Sequence, residues 1–136
     1  MDQRVIELTE ALSKRSGASE ASLNEFMAAT GVHLPAQYLE YMKMSNGGEG
    51  YVGQSSYLAL FPIEKIMPIN KAAATEEFAP GLLIFANNGM GTSYAFDTRD
   101  SKMTIIEVDD MELSFEAAVP RGGTFVEFLE YLFTAM

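Results

Sequence analysis

Residues 82–97 constrain the fold more than any other stretch of the chain. Leu82 to Ala86 is a compact apolar run suited to a buried strand. Asn87-Asn88-Gly89 follows as a turn signal, and Gly89-Met90-Gly91 supplies glycines that tolerate the positive φ of a hairpin turn. Ser93 to Asp97 then alternates in polarity, placing Tyr94 and Phe96 on one face of a second strand. A short glycine turn between two strands makes them antiparallel neighbours, so the centre of the molecule is an antiparallel sheet.

The flanks carry helical periodicity instead. Val5, Leu8 and Leu12 recur at i, i+3 and i+7 behind Asp2, predicting a first helix that ends near Ser16-Gly17. Ser22 and Glu25 have capping-box spacing, so a second helix is expected to begin there, carrying Leu23, Phe26 and Met27 and ending at Gly31. Pro35 opens a third helix with Tyr38, Leu39 and Met42 on one face, and Asn46-Gly47-Gly48 stops it. Tyr51-Val52, Tyr57–Phe61 and Met103–Val108 read as strands. Pro68 divides residues 63–78 into a short helical turn and a following helix or loop. Thr124 and Glu127 form a second capping box ahead of Phe125, Phe128, Leu129 and Leu132, the clearest helical stripe in the chain. The predicted fold is α+β: one domain, residues 1–136, with a mostly antiparallel sheet flanked by helices.

Composition excludes several functions. Nineteen acidic residues outweigh nine basic ones, for a net charge of −10. That balance opposes nucleic-acid binding, which requires cations that displace phosphate counterions, and it opposes anionic membranes. It suits a cationic protein partner. The longest apolar stretch, Ala79 to Ala86, falls far short of the ~20 residues of a membrane-spanning helix. The charged, interrupted N-terminus lacks the apolar core of a signal peptide. With no cysteine there is no disulfide and no thiolate site, which fits a reducing, cytoplasmic setting.

No catalytic constellation emerges, and no cofactor or metal is expected. Gly48-Glu49-Gly50-Tyr51-Val52-Gly53 spells G-x-G-x-x-G, but it follows a helix and leads into strands, the reverse of a dinucleotide site. It reads as a flexible connection. Gly89-Met90-Gly91 lacks the lysine and the following helix of a phosphate cradle. His33 is the only histidine and stands in a loop before Leu34-Pro35. Asp109, Asp110 and Glu112 lack the spacing of a calcium loop and read as a solvated turn or an acidic binding edge. The nine methionines are compatible with an adaptable binding surface, but Met42, Met67 and Met103 fall inside apolar patterns, where core filling explains them at least as well.

Taken together, the ordered segments resemble a known family. Leu34-Pro35-Ala36-Gln37-Tyr38 through Asn46-Gly47-Gly48 resembles the L-P-x-x-Y…N-G-G signature of the SMI1/KNR4 family, also called the SUKH superfamily. Phe26 to Val32 is similar to that family's entry helix. Residues 82–97, with Gly89, Gly91, Tyr94, Phe96 and Asp97, resemble its strand–turn–strand segment, and Phe125–Leu129 its closing helix. The resemblance covers residues 18–133, and the chain departs from many members in having no tryptophan. These motif residues are caps, turns and core anchors, so the signature describes a fold.

The resemblance implies a non-catalytic binding protein. Bacterial members neutralise polymorphic or contact-dependent toxins, often nucleases, whereas fungal relatives are hubs tied to cell-wall synthesis and signalling. The expectation is therefore an immunity-type protein that binds a basic toxin domain. The alternative is an intracellular scaffold without a toxin. The expected contact surface draws on Glu49, Tyr51, Tyr57, Asp109, Asp110 and Glu112, with tyrosines as anchors and carboxylates steering a cationic partner.

Overall fold

A computed structural model describes residues 1–135. Six strands form one antiparallel sheet in sequence order: β1 (Gly48–Val52), β2 (Ser56–Leu60), β3 (Leu82–Asn87), β4 (Thr92–Asp97), β5 (Ile105–Asp109) and β6 (Val119–Gly122). The helices are α1 (Gln3–Leu8), α2 (Glu20–Thr30), α3 (Ala36–Met44), α4 (Ile63–Ala73), α5 (Thr75–Phe78) and α6 (Phe125–Thr134). The architecture is α+β as the sequence predicts.

The sheet has two unequal faces. One face carries Leu58, Leu60, Phe85, Tyr94, Phe96 and Ile105 into the main core, against Val5 and Leu8 of α1, Leu23 of α2, Tyr38 and Met42 of α3 and Phe125, Phe128 and Leu129 of α6. An aromatic network lies at its centre. Phe85 stacks on Phe96 at 4.2 Å, and Tyr38 meets both rings edge-on at 5.5 and 5.2 Å. Leu34, Tyr38, Phe85, Phe96 and Phe128, apolar members of the family-like segments, are all buried. The other face carries a smaller cluster of Leu82, Ile84, Ala95, Ile106 and Val108, covered by Leu113, Phe115 and Ala118 of the loop after β5. The Arg99 guanidinium lies 3.5 Å over the Phe115 ring and donates to Asp97 along its edge, at 2.9 and 3.0 Å.

Several local expectations are corrected. The first helix ends at Leu8 rather than near Ser16-Gly17; the Thr9 hydroxyl donates back to the Val5 carbonyl at its last turn, and the chain then turns toward β1. The segment beyond it covers the outer edge of β1: Ser13 N donates to Glu49 O at 2.9 Å, and the Ser13 hydroxyl accepts from Glu49 N. This close approach requires glycine at position 48, where φ is +135° and an added Cβ would sit 2.3 Å from the Ser13 carbonyl oxygen. The G-x-G-x-x-G stretch is thus mostly a strand with a protected edge, not a flexible connection.

The cap of α2 is Ser19, three residues before the expected Ser22, since the Ser19 hydroxyl accepts from Ser22 N at 3.1 Å. Gly31 closes that helix in the left-handed conformation, as predicted. Pro35 caps α3 as expected. The stop at its far end works differently from a glycine cap. Ser45 is extended, the hydroxyls of Tyr41 and Ser45 both donate to the Gly47 carbonyl, and Asn46 Oδ1 accepts from Ile63 N to begin α4. Residues 63–73 form one helix through Pro68. Pro68 has no N–H to return to the Glu64 carbonyl one turn earlier, and both residues are exposed. Beyond Pro68, Asn70 pins the helix to β3: its amide donates to Ile84 O and Ile66 O, and its Oδ1 accepts from Ile84 N, all at 2.8 Å. The Asn70 side chain thereby replaces a neighbouring strand along the part of β3 that β2 does not reach.

The hairpin of residues 82–97 forms as predicted, with Gly89 at φ +74° and Gly91 at φ +93°. Met103 is buried but lies before β5 at a positive φ. Strand β6 is unforeseen. Its Pro120 suits the sheet edge, where no neighbour needs its missing N–H. At α6 the Thr124 hydroxyl accepts from Glu127 N, while the Glu127 carboxylate accepts from that same hydroxyl rather than from the cap backbone.

Candidate binding surface

The register of the sheet brings the six expected surface residues to one end of it. On β1 and β2, Tyr51 pairs with Tyr57 and Glu49 with Ala59. Their side chains alternate with Val52, Leu58 and Leu60, which enter the core, so Glu49, Tyr51 and Tyr57 stand on the opposite face. The Tyr51 and Tyr57 rings meet edge-on at 5.4 Å, and the Tyr57 hydroxyl donates to the Glu49 carboxylate. That hydrogen bond is the main reason the Tyr57 phenol is pushed above its ordinary pKa. Tyr51 remains half exposed, and Tyr57 is half-buried.

The β3–β4 turn joins this pair to the acidic group. A Cβ at Gly89 would lie 3.6 Å from the Tyr57 ring, so the turn passes directly beside it. On its other side, Asp110 N donates to Gly91 O at 2.9 Å. Asp110 also accepts from the buried Ser93 hydroxyl, which fixes its carboxylate. Asp109 accepts from Met111 N at 2.8 Å and bridges to Glu112 as an isolated pair, so residues 109–112 form a tight turn. Asp109, Asp110 and Glu112 are all exposed.

Two residues that sequence reasoning did not select complete this surface. Met90 is 85% exposed at the tip of the β3–β4 turn, and Met111 is 92% exposed in the adjoining turn. The signal was present, since each is a large apolar residue inside a polar or glycine turn where no core can take it. Met67, read as core, is also exposed, because it flanks the buried stripe of α4 and borders an open gap between α2 and α4.

The remaining named residues are structural. Leu34 and Tyr38 are core; Asn46, Gly47 and Gly48 shape the passage from α3 to β1; Tyr94 packs on Phe128 at 4.9 Å. Asp97 is held below its ordinary carboxylate value, chiefly by the Arg99 guanidinium. His33 is exposed in its loop. Among the described residues no group of three or more His, Cys, Asp or Glu side chains is placed to hold a metal ion, and no helix is long and apolar enough to cross a membrane.

A helix-backed antiparallel meander, with motif residues acting as caps and core anchors, defines an α+β domain. The chain belongs to the SMI1 / KNR4 family (SUKH-1), whose family model matches residues 17–131. That span runs from just before α2 into α6 and includes every strand. No curated protein matches the chain.

Proposed function

We propose that this protein is a non-catalytic immunity-type domain that neutralises a cationic toxin domain, such as a nuclease, by binding and occluding it. The observation that carries this reading is the convergence at one sheet end of two packed tyrosines, two solvent-facing methionines and four carboxylates. Tyrosines supply rigid anchors at low entropic cost, and methionines adapt to irregular surfaces. The carboxylates of Glu49, Asp109, Asp110 and Glu112 steer a basic surface and accept charge-assisted hydrogen bonds from it. Family membership and the net charge of −10 support the same reading.

The test is co-expression with a basic toxin domain taken from the genes neighbouring this one, if they encode such a domain, followed by binding kinetics on the purified pair. Wild type is expected to restore growth and to inhibit at one-to-one stoichiometry. Asp109→Asn with Asp110→Asn should slow association several-fold at low salt and much less at high salt. Asparagine can still accept from Ser93, so the turn is retained. Tyr51→Ala should chiefly speed dissociation, by about tenfold for an anchor worth ~1.4 kcal/mol. Inhibition at substoichiometric amounts, or an association rate indifferent to both salt and the double variant, would overturn the proposal.

A further inference from the structure

A second feature lies at the other end of the β3–β4 hairpin. A cleft of about 810 Å³ opens between α2, α4, α5 and the start of β3, with Val32, Met67, Leu82 and Leu83 among its walls. It continues into a 250 Å³ notch between the first halves of α2 and α4, and Ala29 and Met67 line both. Met67 is 46% exposed here and Ala29 is also exposed, so the trough is open along its length. Its N-terminal end is rimmed by Glu25 and Glu64, its other end by Glu76 and Glu77, and Lys71 is the one cation among its lining residues. Glu64 is held in its charged form by hydrogen bonds from the Asn46 amide.

We propose that this trough is a docking site for a cationic amphipathic helix, separate from the sheet-end surface. Three observations select that occupant. The trough follows α4, whose eleven residues span about 16 Å, the length of three turns of a docked helix. Its apolar floor suits anchors at i, i+3 or i+4 and i+7, the helix-in-groove mode of recognition. The four rim carboxylates match lysines or arginines flanking such a stripe, two at each end. The same acids oppose a second copy of this chain, which also carries −10, and they oppose an anionic membrane.

The site is independent of the toxin-binding reading. Leu82 and Thr98 at the cleft lie at the opposite end of the hairpin from Gly89 and Gly91, about 20 Å away along β3. A domain with both surfaces can hold two partners at once.

The experiment uses a fluorescein-labelled, amidated peptide of about 14 residues with leucines at i, i+3, i+7 and i+10 in a lysine and alanine background. A scrambled isomer and a version with glutamine for lysine serve as controls. Anisotropy is read at low and high salt, and amide chemical shifts of the labelled protein locate the contact. The amphipathic peptide is expected to bind with a Kd of roughly 10–100 µM, with shifts confined to residues of α2, α4, α5 and the start of β3. Met67→Lys and Ala29→Lys, both at exposed helix positions, should each weaken it about tenfold. Glu76→Gln with Glu77→Gln should weaken it about threefold at low salt only. Tyr51→Ala should leave peptide binding unchanged, and Met67→Lys should leave toxin inhibition unchanged, so the two readings fail separately. Equal binding of the scrambled peptide, equal binding of the glutamine version, shifts centred on Tyr51 and Asp110, or no binding at all would each overturn the proposal.

Discussion

Tyr38 and Tyr41 lie one helical turn apart on α3, and both are 0% exposed, yet their hydroxyls have opposite fates. The Tyr41 hydroxyl donates to the Gly47 carbonyl at 3.0 Å. The Tyr38 hydroxyl is buried with no hydrogen-bond partner among the described residues, and its ring is surrounded edge-on by Phe85, Phe96 and Phe125. Burial drives its phenol far above the ordinary value, with a smaller contribution from Tyr41. Burying a hydroxyl unpaired costs about 1–3 kcal/mol, which Tyr38→Phe removes. The lost oxygen forfeits dispersion contacts worth some tenths of a kcal/mol, so the net expectation is a gain of about 1–2 kcal/mol. For a chain of this length that is a rise in Tm of roughly 3–8 °C. Tyr41→Phe should move the other way, by about 1 kcal/mol. The loss is limited because the Ser45 hydroxyl, at 2.8 Å, still satisfies the Gly47 carbonyl. Urea unfolding followed by far-ultraviolet circular dichroism measures both, and unchanged slopes would show that the unfolded state is unaltered. A Tyr38→Phe protein less stable than wild type by 1 kcal/mol or more would refute the reasoning, and would show that the hydroxyl is satisfied in solution by an ordered water.

Three further outcomes are expected. Asn70→Leu should cost about 3–5 kcal/mol in urea unfolding, because it leaves both the N–H and the C=O of Ile84 unpaired beside a buried strand; a cost under 1 kcal/mol would show that water reaches this edge. Asp97 has a depressed pKa in the folded state, so its stabilising contribution is present above the unfolded value near ~3.9 and is lost as pH falls through the lower folded value. The stability difference between wild type and Asp97→Asn should therefore be constant from neutral pH down to about 5 and shrink below about 4, which urea midpoints across that range will read. Thr124→Ala removes the hydroxyl that accepts from Glu127 N and should lower stability by about 1 kcal/mol, measured by the same midpoint.

The surface was only partly legible from sequence. Carboxylates and tyrosines in polar, turn-rich segments mark themselves as exposed. Their convergence does not, because residues 49–57 and 109–112 are far apart in the chain and meet only through the turn at Gly89–Gly91. Met90 and Met111 were legible only through their neighbours. A methionine is apolar by composition, and only its position at a turn tip shows that no core receives it. The α2–α4 trough was wholly illegible, since it depends on how two helices lie beside the start of β3.

Local chemistry, by contrast, declared itself in order along the chain. The apolar run of Leu82–Ala86, the glycines at 89 and 91 and the alternation from Ser93 to Asp97 specify a hairpin, because side-chain period and permitted φ are properties of neighbouring residues. The stripe of Phe125, Phe128, Leu129 and Leu132 likewise specifies α6 and the face it buries. Tertiary structure decided whatever depended on a distant partner. Helix α4 runs through Pro68 because Asn70 is bonded to β3 on the far side of the break. Strand β6, with its proline and its exposed Val119, exists because β5 offers it an edge. Residues 11–13 leave the helical pattern because the glycine-lined edge of β1 can pair with them. In each case long-range contacts, including hydrogen bonds to otherwise unpaired backbone groups, outweigh a local preference that is a few tenths of a kcal/mol for most residues and about 3 kcal/mol for a proline within a helix, and no short window of sequence contains both partners.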